Sequence, residues 1–396
     1  KILTLNCGSS SIKYKIIDPT DCERVYLEGT VERIRQHEYP QQMEKLLAEI
    51  LSGKGISIDG VGHRFVHGGD SYTEPVLVTD QVQQDLELLK PLAPLHNPHN
   101  FNGIHLARHL LPAGIRHVAV FDTAFHAALP QHIHQFPLPY KLSSAHGLRK
   151  FGFHGISYAY ICERLRELDV SGNVVIAHLG AGCSVAAVQM PPNGSPRCTD
   201  TSMGYSPAAG LMMGTRCGTI DPAVISFLLD TLGPDKDVFE VLNKESGLLG
   251  VTGETQDMRD IVEAIAVPRA ETGEGITRST DAERTNRFQL ALDMFTNRAA
   301  REMAAVMVSL PGPCSCIVFT AGIGTNSPMV RTEIMRQLKA VLPAPLIIDD
   351  IANNESREII SDPGSYVKVM TLPTDEETQI ARYVLNVLQA ANSQNV

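Results

Sequence analysis

Ile2-Leu3-Thr4-Leu5-Asn6-Cys7-Gly8-Ser9-Ser10-Ser11-Ile12-Lys13-Tyr14-Lys15-Ile16-Ile17 opens the chain with two apolar segments around a run of small polar residues. Residues 2–5 have the length and composition of a short buried strand, 6–11 read as a turn, and 12–17 as a second strand. A related pattern returns at mid-chain. Residues 174–179 form a buried strand, Gly180-Ala181-Gly182-Cys183-Ser184 a turn, and 185–188 the next strand. Laying Gly8 on Gly182 puts Ser10 on Ser184, so one strand–turn–strand unit is expected in each half. A third apolar strand, 316–320, runs into a small-residue turn, Ala321-Gly322-Ile323-Gly324-Thr325-Asn326.

Between these units apolar residues recur at helical spacing, at Val82, Leu86 and Leu89 in 81–90 and from Leu290 to Met307 in 289–310. Strands alternating with helices predict an α/β protein, and 396 residues exceed one compact core, so two domains are expected. The polar stretch 268–286, with Gly273 and Gly275, predicts a surface excursion, and Pro191-Pro192-Asn193-Gly194 a turn. Hydrophobic residues at 43% and charged residues at 20% describe a globular chain. A net charge of −10 argues against nucleic acid or a membrane surface as partner, since either favours a basic face. The longest apolar runs, such as 173–177, fall far short of a membrane span. Eight scattered cysteines without a CxxC pair, and no secretory leader at the start, predict a reduced, cytoplasmic protein.

Each small-residue turn follows a buried strand and lets backbone N–H groups approach an anion. One such turn reads as a plain hairpin; three in one chain favour phosphate binding. GxxxxGK[ST] is absent, and Gly180-Ala181-Gly182 lacks the third glycine of a dinucleotide fingerprint. Gly62-His63-Arg64-Phe65-Val66-His67-Gly68-Gly69 and Met212-Met213-Gly214-Thr215-Arg216-Cys217-Gly218 each set an arginine among glycines and apolar residues. An arginine is ordinarily a solvated or salt-bridged residue. In such surroundings an unpaired guanidinium is costly, which points to a bound anion. Asp122 ends a strand, His154 sits in Phe151-Gly152-Phe153-His154-Gly155, and Asp375-Glu376-Glu377 follows the apolar segment 367–372. A helix cap, a satisfied core imidazole and a helix-dipole acid are the structural readings of these three. His96-Asn97-Pro98-His99 lacks the geometry of a helical zinc motif.

Taken together the motifs resemble acetate kinases: 6–13, 62–69, 93–98, 121–126, 150–155, 177–180, 200–204, 210–216, 243–250 and 322–324, in family order from Asn6 to about Ala381. The resemblance implies a two-domain actin-like fold with a duplicated core, shared with actin, the sugar kinases and the heat-shock chaperone ATPases. It implies an acyl-side domain at 1–122 plus 378–396 and a nucleotide- and dimer-side domain at 123–377. The implied reaction is reversible transfer of a phosphoryl group from ATP to acetate, with Mg²⁺ or Mn²⁺, in a homodimer.

By the same resemblance Asn6 and Glu376 organise the metal, and Lys13 lies near the phosphates. Arg64, Arg216, Asp122 and His154 are catalytic, with Asp122 positioning rather than deprotonating, because a carboxylate acceptor is already a nucleophile. Val66, Leu95, Phe153 and Pro207, with Arg64, hold the short-chain carboxylate. ATP or ADP is implied at His178, Leu179, Gly180, Ala181 and Gly182, at Asp257, Met258 and Arg259, and at Gly322, Ile323, Gly324, Thr325 and Asn326. The chain departs from the family pattern at Ala181 (usually Asn), Thr325 (usually Glu) and Thr219 (usually Asp). The departures at Ala181 and Thr325 keep a pyrophosphate-dependent kinase as an alternative; a propionate or butyrate kinase, close to acetate in acceptor class, is another. A sugar kinase would need a general base and a polar pocket, and a nucleotide-gated binding protein has no use for the two glycine-flanked arginines.

Overall fold

The computed structural model describes residues 1–52, 57–233, 236–266 and 278–393. Two mixed sheets carry the fold. The first contains β1 (Ile2–Cys7), β2 (Ile12–Asp18), β3 (Asp21–Val31), β4 (Gly60–Phe65), β5 (Val76–Leu77) and β6 (Arg116–Phe121), in the order β3-β2-β1-β4-β6-β5. The second contains β7 (Gly172–Leu179), β8 (Cys183–Met190), β9 (Arg197–Thr201), β10 (Cys316–Thr320) and β11 (Lys368–Thr371), in the order β11-β10-β7-β8-β9. In each sheet three antiparallel strands lead, and the first of them is joined by two parallel strands. The second sheet therefore repeats the first, less its edge strand β5.

Both central strands are covered on both faces, and the period of two along them decides what each face meets. On β1, Leu3, Leu5 and Cys7 face the helix Tyr39–Ser52 and the helix Asn97–Leu110. Ile2 belongs to the opposite layer, with Ile380, Val384 and Leu388 of the last helix, Glu376–Ser393. On β7, Val175, Ala177 and Leu179 meet Phe288, Phe295 and Met303 of the long helix Arg278–Met307. Val174 and Ile176 meet Tyr158, Ile161 and Leu165 of the helix Gly155–Glu167. The last helix thus returns to the first sheet. It lies so close to β4 that a Cβ on Gly62 would collide with Ile380.

Three local expectations change. Gly8 and Gly182 are not equivalent: β1 pairs Asn6 with Lys13, and β7 pairs His178 with Ser184. Ser184 therefore takes the hairpin place of Lys13 rather than of Ser10: Gly180, not Gly182, stands at the place of Gly8, and the second hairpin's loop is one residue shorter. The segment after β10 is a short helix, Ala321–Asn326, instead of an open turn. Of the polar stretch 268–286, residues 268–277 lie outside the described residues and the rest begins the helix Arg278–Met307. Among the described residues no helix is long and apolar enough to cross a membrane, and Cys7, Cys162, Cys183, Cys198, Cys217, Cys314 and Cys316 are free.

Candidate active site

β4 and β6 run parallel in register to Phe65 and Phe121, and Asp122 N donates to Phe65 O at 3.2 Å. Arg64, one residue from the end of β4, is thereby set beside Asp122, which is 1% exposed. Arg64 Nε donates to Asp122 Oδ1 at 3.1 Å and Nη2 to Oδ2 at 2.6 Å, a bidentate pair. Nη1 reaches Asn6 Oδ1 at 3.4 Å, and Glu376 Oε2 stands 3.9 Å from Nε. Burial opposes the Arg64 charge, but Asp122 and Glu376 outweigh it and raise the guanidinium above its ordinary range. Burial pushes Glu376 up to about 7; Arg64 works against that shift, and Asp122 and Glu377 add to it. Glu377 is 3% exposed; its Oε2 accepts from Lys13 Nζ at 2.9 Å, and its Oε1 has no partner. Lys13 lines a separate groove of about 560 Å³ with Lys15, Tyr160, Thr374 and Asp375.

Arg216 has a different setting. Its Nη1 donates to Pro207 O at 3.1 Å and approaches Met213 Sδ at 3.7 Å, while Nη2 faces His96 Nε2 at 3.3 Å. Among the described residues no carboxylate pairs with it. Burial lowers its pKa, and Arg64 lowers it further. Burial, then Arg216 and Arg64, push His96 down to about 3, so its imidazole is neutral and can accept. Arg216 and His96 lie on a cavity of about 260 Å³ walled by Leu95, Pro207, Tyr205 and Phe239. Val66 and Phe153 are not on that wall; they are 4% and 1% exposed, in one buried cluster with Ala93 and Met213.

Sequence reasoning passed over what holds this wall together. Asn100 Oδ1 accepts from Val66 N at 3.1 Å and Asn97 Oδ1 from His67 N at 3.0 Å, while Asn100 Nδ2 donates to Cys7 O at 2.7 Å. The helix Asn97–Leu110 thus ties the end of β4 to the end of β1. An asparagine next to a proline reads as a turn or cap, and only the buried, otherwise bare amides of 66 and 67 reveal its work.

His154 begins the helix Gly155–Glu167 with a left-handed backbone, φ 58°. Gly155 N donates to Asp122 O at 3.0 Å, and any Cβ at 155 would strike that carbonyl. The contact ties His154 to the Arg64–Asp122 pair. The His154 ring stacks on His178, centroids 4.1 Å apart, and its Nδ1 lies 2.8 Å from Ser184 Oγ. Burial, then His178, Arg64 and Arg216, hold His154 well below the ordinary imidazole range. A Cβ built on Gly182 would be 3.4 Å from His154 Nε2 and 3.7 Å from Arg216 Nη1, so both groups face one point.

A cleft of about 800 Å³ opens beside Gly180 and Ala181. Asp257, Met258, Arg259, Gly322, Ile323 and Asn326 also line it. His178, Leu179, Gly182, Gly324 and Thr325 are not on its wall. Thr325 Oγ1 is satisfied within its own helix by Ala321 O at 2.8 Å. Gln256, Glu263, Met329 and Asn354, absent from the sequence reading, also line it. They come from three segments far apart in the chain, around the helices Met258–Ala266, Pro328–Leu338 and Asp350–Asn354, and carry no motif of their own. Arg331, 0% exposed, holds the Gly324 and Thr325 carbonyls at 2.9 Å each, fixing the end of the helix Ala321–Asn326.

Residues 1–49 and 40–382 match the profile of the Acetokinase family. The chain is 38% identical, over 427 aligned positions, to the acetate kinase of Clostridium novyi, covering 99% of each. The crystal structure of the Porphyromonas gingivalis acetate kinase superposes with a TM-score of 0.84 at 34% identity, covering 98% of this chain and 99% of that one. A Francisella tularensis propionate kinase superposes at 0.82 with 32% identity, covering 96% and 98%.

Proposed function

This chain belongs to the acetokinase family, and from that premise we propose that it transfers a phosphoryl group reversibly between ATP and acetate, giving acetyl phosphate and ADP. Arg216 carries the reading. A largely buried guanidinium with no carboxylate, at the mouth of a small cavity walled by Leu95 and Pro207, is suited to an anion with a short apolar tail. A carboxylate held there needs no base to make it a nucleophile. What the reaction requires is alignment and dispersal of charge over the phosphoryl oxygens. Arg216 supplies uncompensated positive charge, and His154 presents a neutral imidazole edge to the same space. The Arg64–Asp122 pair is a rigid wall whose third nitrogen, Nη1, donates to Asn6 Oδ1.

Asn6 and Glu376 fit a divalent cation. Asp122, Glu376 and Glu377 crowd together against Arg64 and Lys13, Glu376 is pushed up to about 7, and Glu377 Oε1 is bare. No group of at least three acidic, imidazole or thiol side chains among the described residues could hold a metal by itself. Mg²⁺ binds through one or two carboxylates plus phosphates and water, which Glu376 and Asn6 would complement. When bound it would neutralise charge on the phosphates. The cleft at Gly180, Ala181, Gly322 and Ile323 takes the nucleotide, its apolar side being Met258, Ile323 and Met329.

Residues 1–122 with 378–396 form the acyl-side domain and 123–377 the nucleotide-side domain, a division supported by the return of the last helix to the first sheet. A homodimer is supported by the helix Pro222–Thr231, which buries none of its residues and exposes Phe227 and Leu229 at 64% each. Trapping acetyl phosphate with hydroxylamine, in the presence of ATP, Mg²⁺ and acetate, tests the proposed activity. No hydroxamate at saturating acetate would refute it.

A further inference from the structure

Behind His154 stand two residues to which the reaction as described gives no part. Ser184, the second residue of β8, places its Oγ 2.8 Å from His154 Nδ1 and 2.5 Å from the Tyr158 hydroxyl. Tyr158 lies one helical turn beyond His154, and its N donates to His154 O at 3.0 Å. Ser184 and Tyr158 are each 0% exposed. We propose that Tyr158 and Ser184 are positioning residues that fix His154 as its Nε2–H tautomer and direct that proton at the transferring phosphoryl group. The proposal rests on the reading of this site as a phosphotransferase.

Counting protons carries the argument. Ser184 has one hydroxyl proton and two close partners, so it can donate to only one of them, while its oxygen can accept from either or both. The hydroxyl of Tyr158 has Ser184 as its only hydrogen-bond partner among the described residues. Tyr158 belongs to one buried cluster with Ile161, Leu165, Leu129 and Val174, none more than 5% exposed; Phe125, His126 and His178 lie against its ring, and the Cys183 and Cys198 thiols are close by. Suppose His154 carried its proton on Nδ1. It would donate to Ser184, and the serine and phenolic protons would then share a single acceptor, so one of the two would be left without a hydrogen-bond partner among the described residues. That is an arrangement folded proteins avoid. In the other arrangement Tyr158 donates to Ser184, Ser184 donates to Nδ1, and every buried proton has an acceptor. A neutral imidazole with Nδ1 accepting must carry its hydrogen on Nε2.

Geometry supplies the direction. Nε2 is the atom nearest the space above Gly182, which Arg216 Nη1 also approaches. The stack on His178 holds the ring plane, and His178 Nδ1 is itself held by Ser157 Oγ at 2.9 Å. Burial keeps the Tyr158 phenol protonated, and burial with the nearby cations keeps His154 uncharged. His154 is then a donor of fixed direction that brings no charge of its own.

Protein labelled with ¹⁵N-histidine, examined by long-range proton–nitrogen correlation without substrate, reports the tautomer directly. His154→Gln assigns the signal. The parent is expected to show His154 as Nε2–H, and Tyr158→Phe and Ser184→Ala to show a mixture. In the same variants kcat should fall about 10- to 100-fold, the usual scale for a partner that orients an active imidazole. KM for acetate and for ATP should stay within about twofold, since substrate binding is untouched. An Nδ1–H signal in the parent, or an unchanged tautomer in Ser184→Ala, overturns the proposal. Tyr158→Phe removes a single oxygen and preserves packing, so it guards against a folding defect in the serine variant. The spectra are independent of turnover, so absence of acetate-dependent activity in the parent counts against the reading of function alone.

Discussion

Arg64 meets Asp122 through two hydrogen bonds, with Glu376 at 3.9 Å, whereas Arg216 meets a carbonyl, a thioether and an imidazole. The two side chains sit in glycine-flanked segments of similar composition. Their electrostatics are opposite: carboxylates raise Arg64 above its ordinary range, and burial lowers Arg216. Arg64 is therefore part of the frame, its charge already matched. Among the described residues Arg216 has no carboxylate partner, and the proposed complement of its charge is the substrate anion. Equal sequence context has produced one guanidinium held by carboxylates and one held by a carbonyl, a thioether and an imidazole.

Replacing each arginine is the most forceful way to break this comparison. Arg216→Ala and Arg64→Ala should each cut turnover by about 10³-fold or more, the scale of an arginine in phosphoryl transfer. Stability should separate them. Arg64→Ala leaves Asp122 buried and unpaired, which costs about 3–5 kcal/mol. Arg216→Ala removes a strained charge and should leave the urea midpoint unchanged or higher. Folded Arg216→Ala with turnover within tenfold of the parent would contradict its role, and equal destabilisation of the two variants would erase the contrast.

Substrate length probes the Arg216 side. The cavity beside it is small and apolar, and one methylene is worth about 1–3 kcal/mol there, or about 10- to 200-fold. Values of kcat/KM for two- to five-carbon acids should fall in steps past an optimum at acetate or propionate. A preference for hexanoate, or for glycerol over acetate, is the contrary result.

The histidines give a milder test. His67, His117 and His126 are each pushed down to about 4 and His178 to about 3, chiefly by burial; His63 lies well below its ordinary value for the same cause. The unfolded chain binds protons on these groups below about pH 6.5 and the folded chain does not, so stability falls as pH drops from about 6.5 towards 4. Each group contributes up to about 1.4 kcal/mol per pH unit in that window. Urea midpoints should be level above pH 7 and fall steadily below 6.5; a midpoint unchanged between pH 7.5 and 5.5 would mean these imidazoles are already charged in the fold.

The smallest effect belongs to the nucleotide cleft. Ala181 lies on its wall without a polar side chain, and Thr325 is turned into its own helix. A lost neutral hydrogen bond costs about 0.5–1.5 kcal/mol, so GTP should serve within about tenfold of ATP. Pyrophosphate should be poor, having nothing to place against Met258, Ile323 and Met329. Parallel kinetics with the three donors at saturating acetate check this, and activity with pyrophosphate alone would overturn the choice of donor.

Much of this was legible before any coordinates. Strands such as 174–179 announce themselves because burial on both faces demands an unbroken apolar run, and a glycine-rich stop marks where each ends. The site was legible only through residues that combine chemistry with an unusual neighbourhood, such as Arg64, Arg216 and His154. Asn97, Asn100, Ser184 and Tyr158 escaped, because a buried amide or hydroxyl looks ordinary until its partner is known. Gln256, Glu263 and Asn354 escaped because a cleft wall collected from segments far apart in the chain has no period.

Local composition marked the central strands, the helices at 81–90 and 289–310 and a strand–turn–strand unit in each half, since backbone preference and burial act over a few residues at a time, and the order of the motifs marked the acetokinase family. Only the tertiary structure decided which arginine is matched by a carboxylate, that Ser184 stands at the hairpin place of Lys13, and which nitrogen of His154 is engaged. Those outcomes depend on distances between groups up to hundreds of residues apart. An electrostatic or hydrogen-bonding partner acts through space, and the chain acquires that space only when its two sheets are packed.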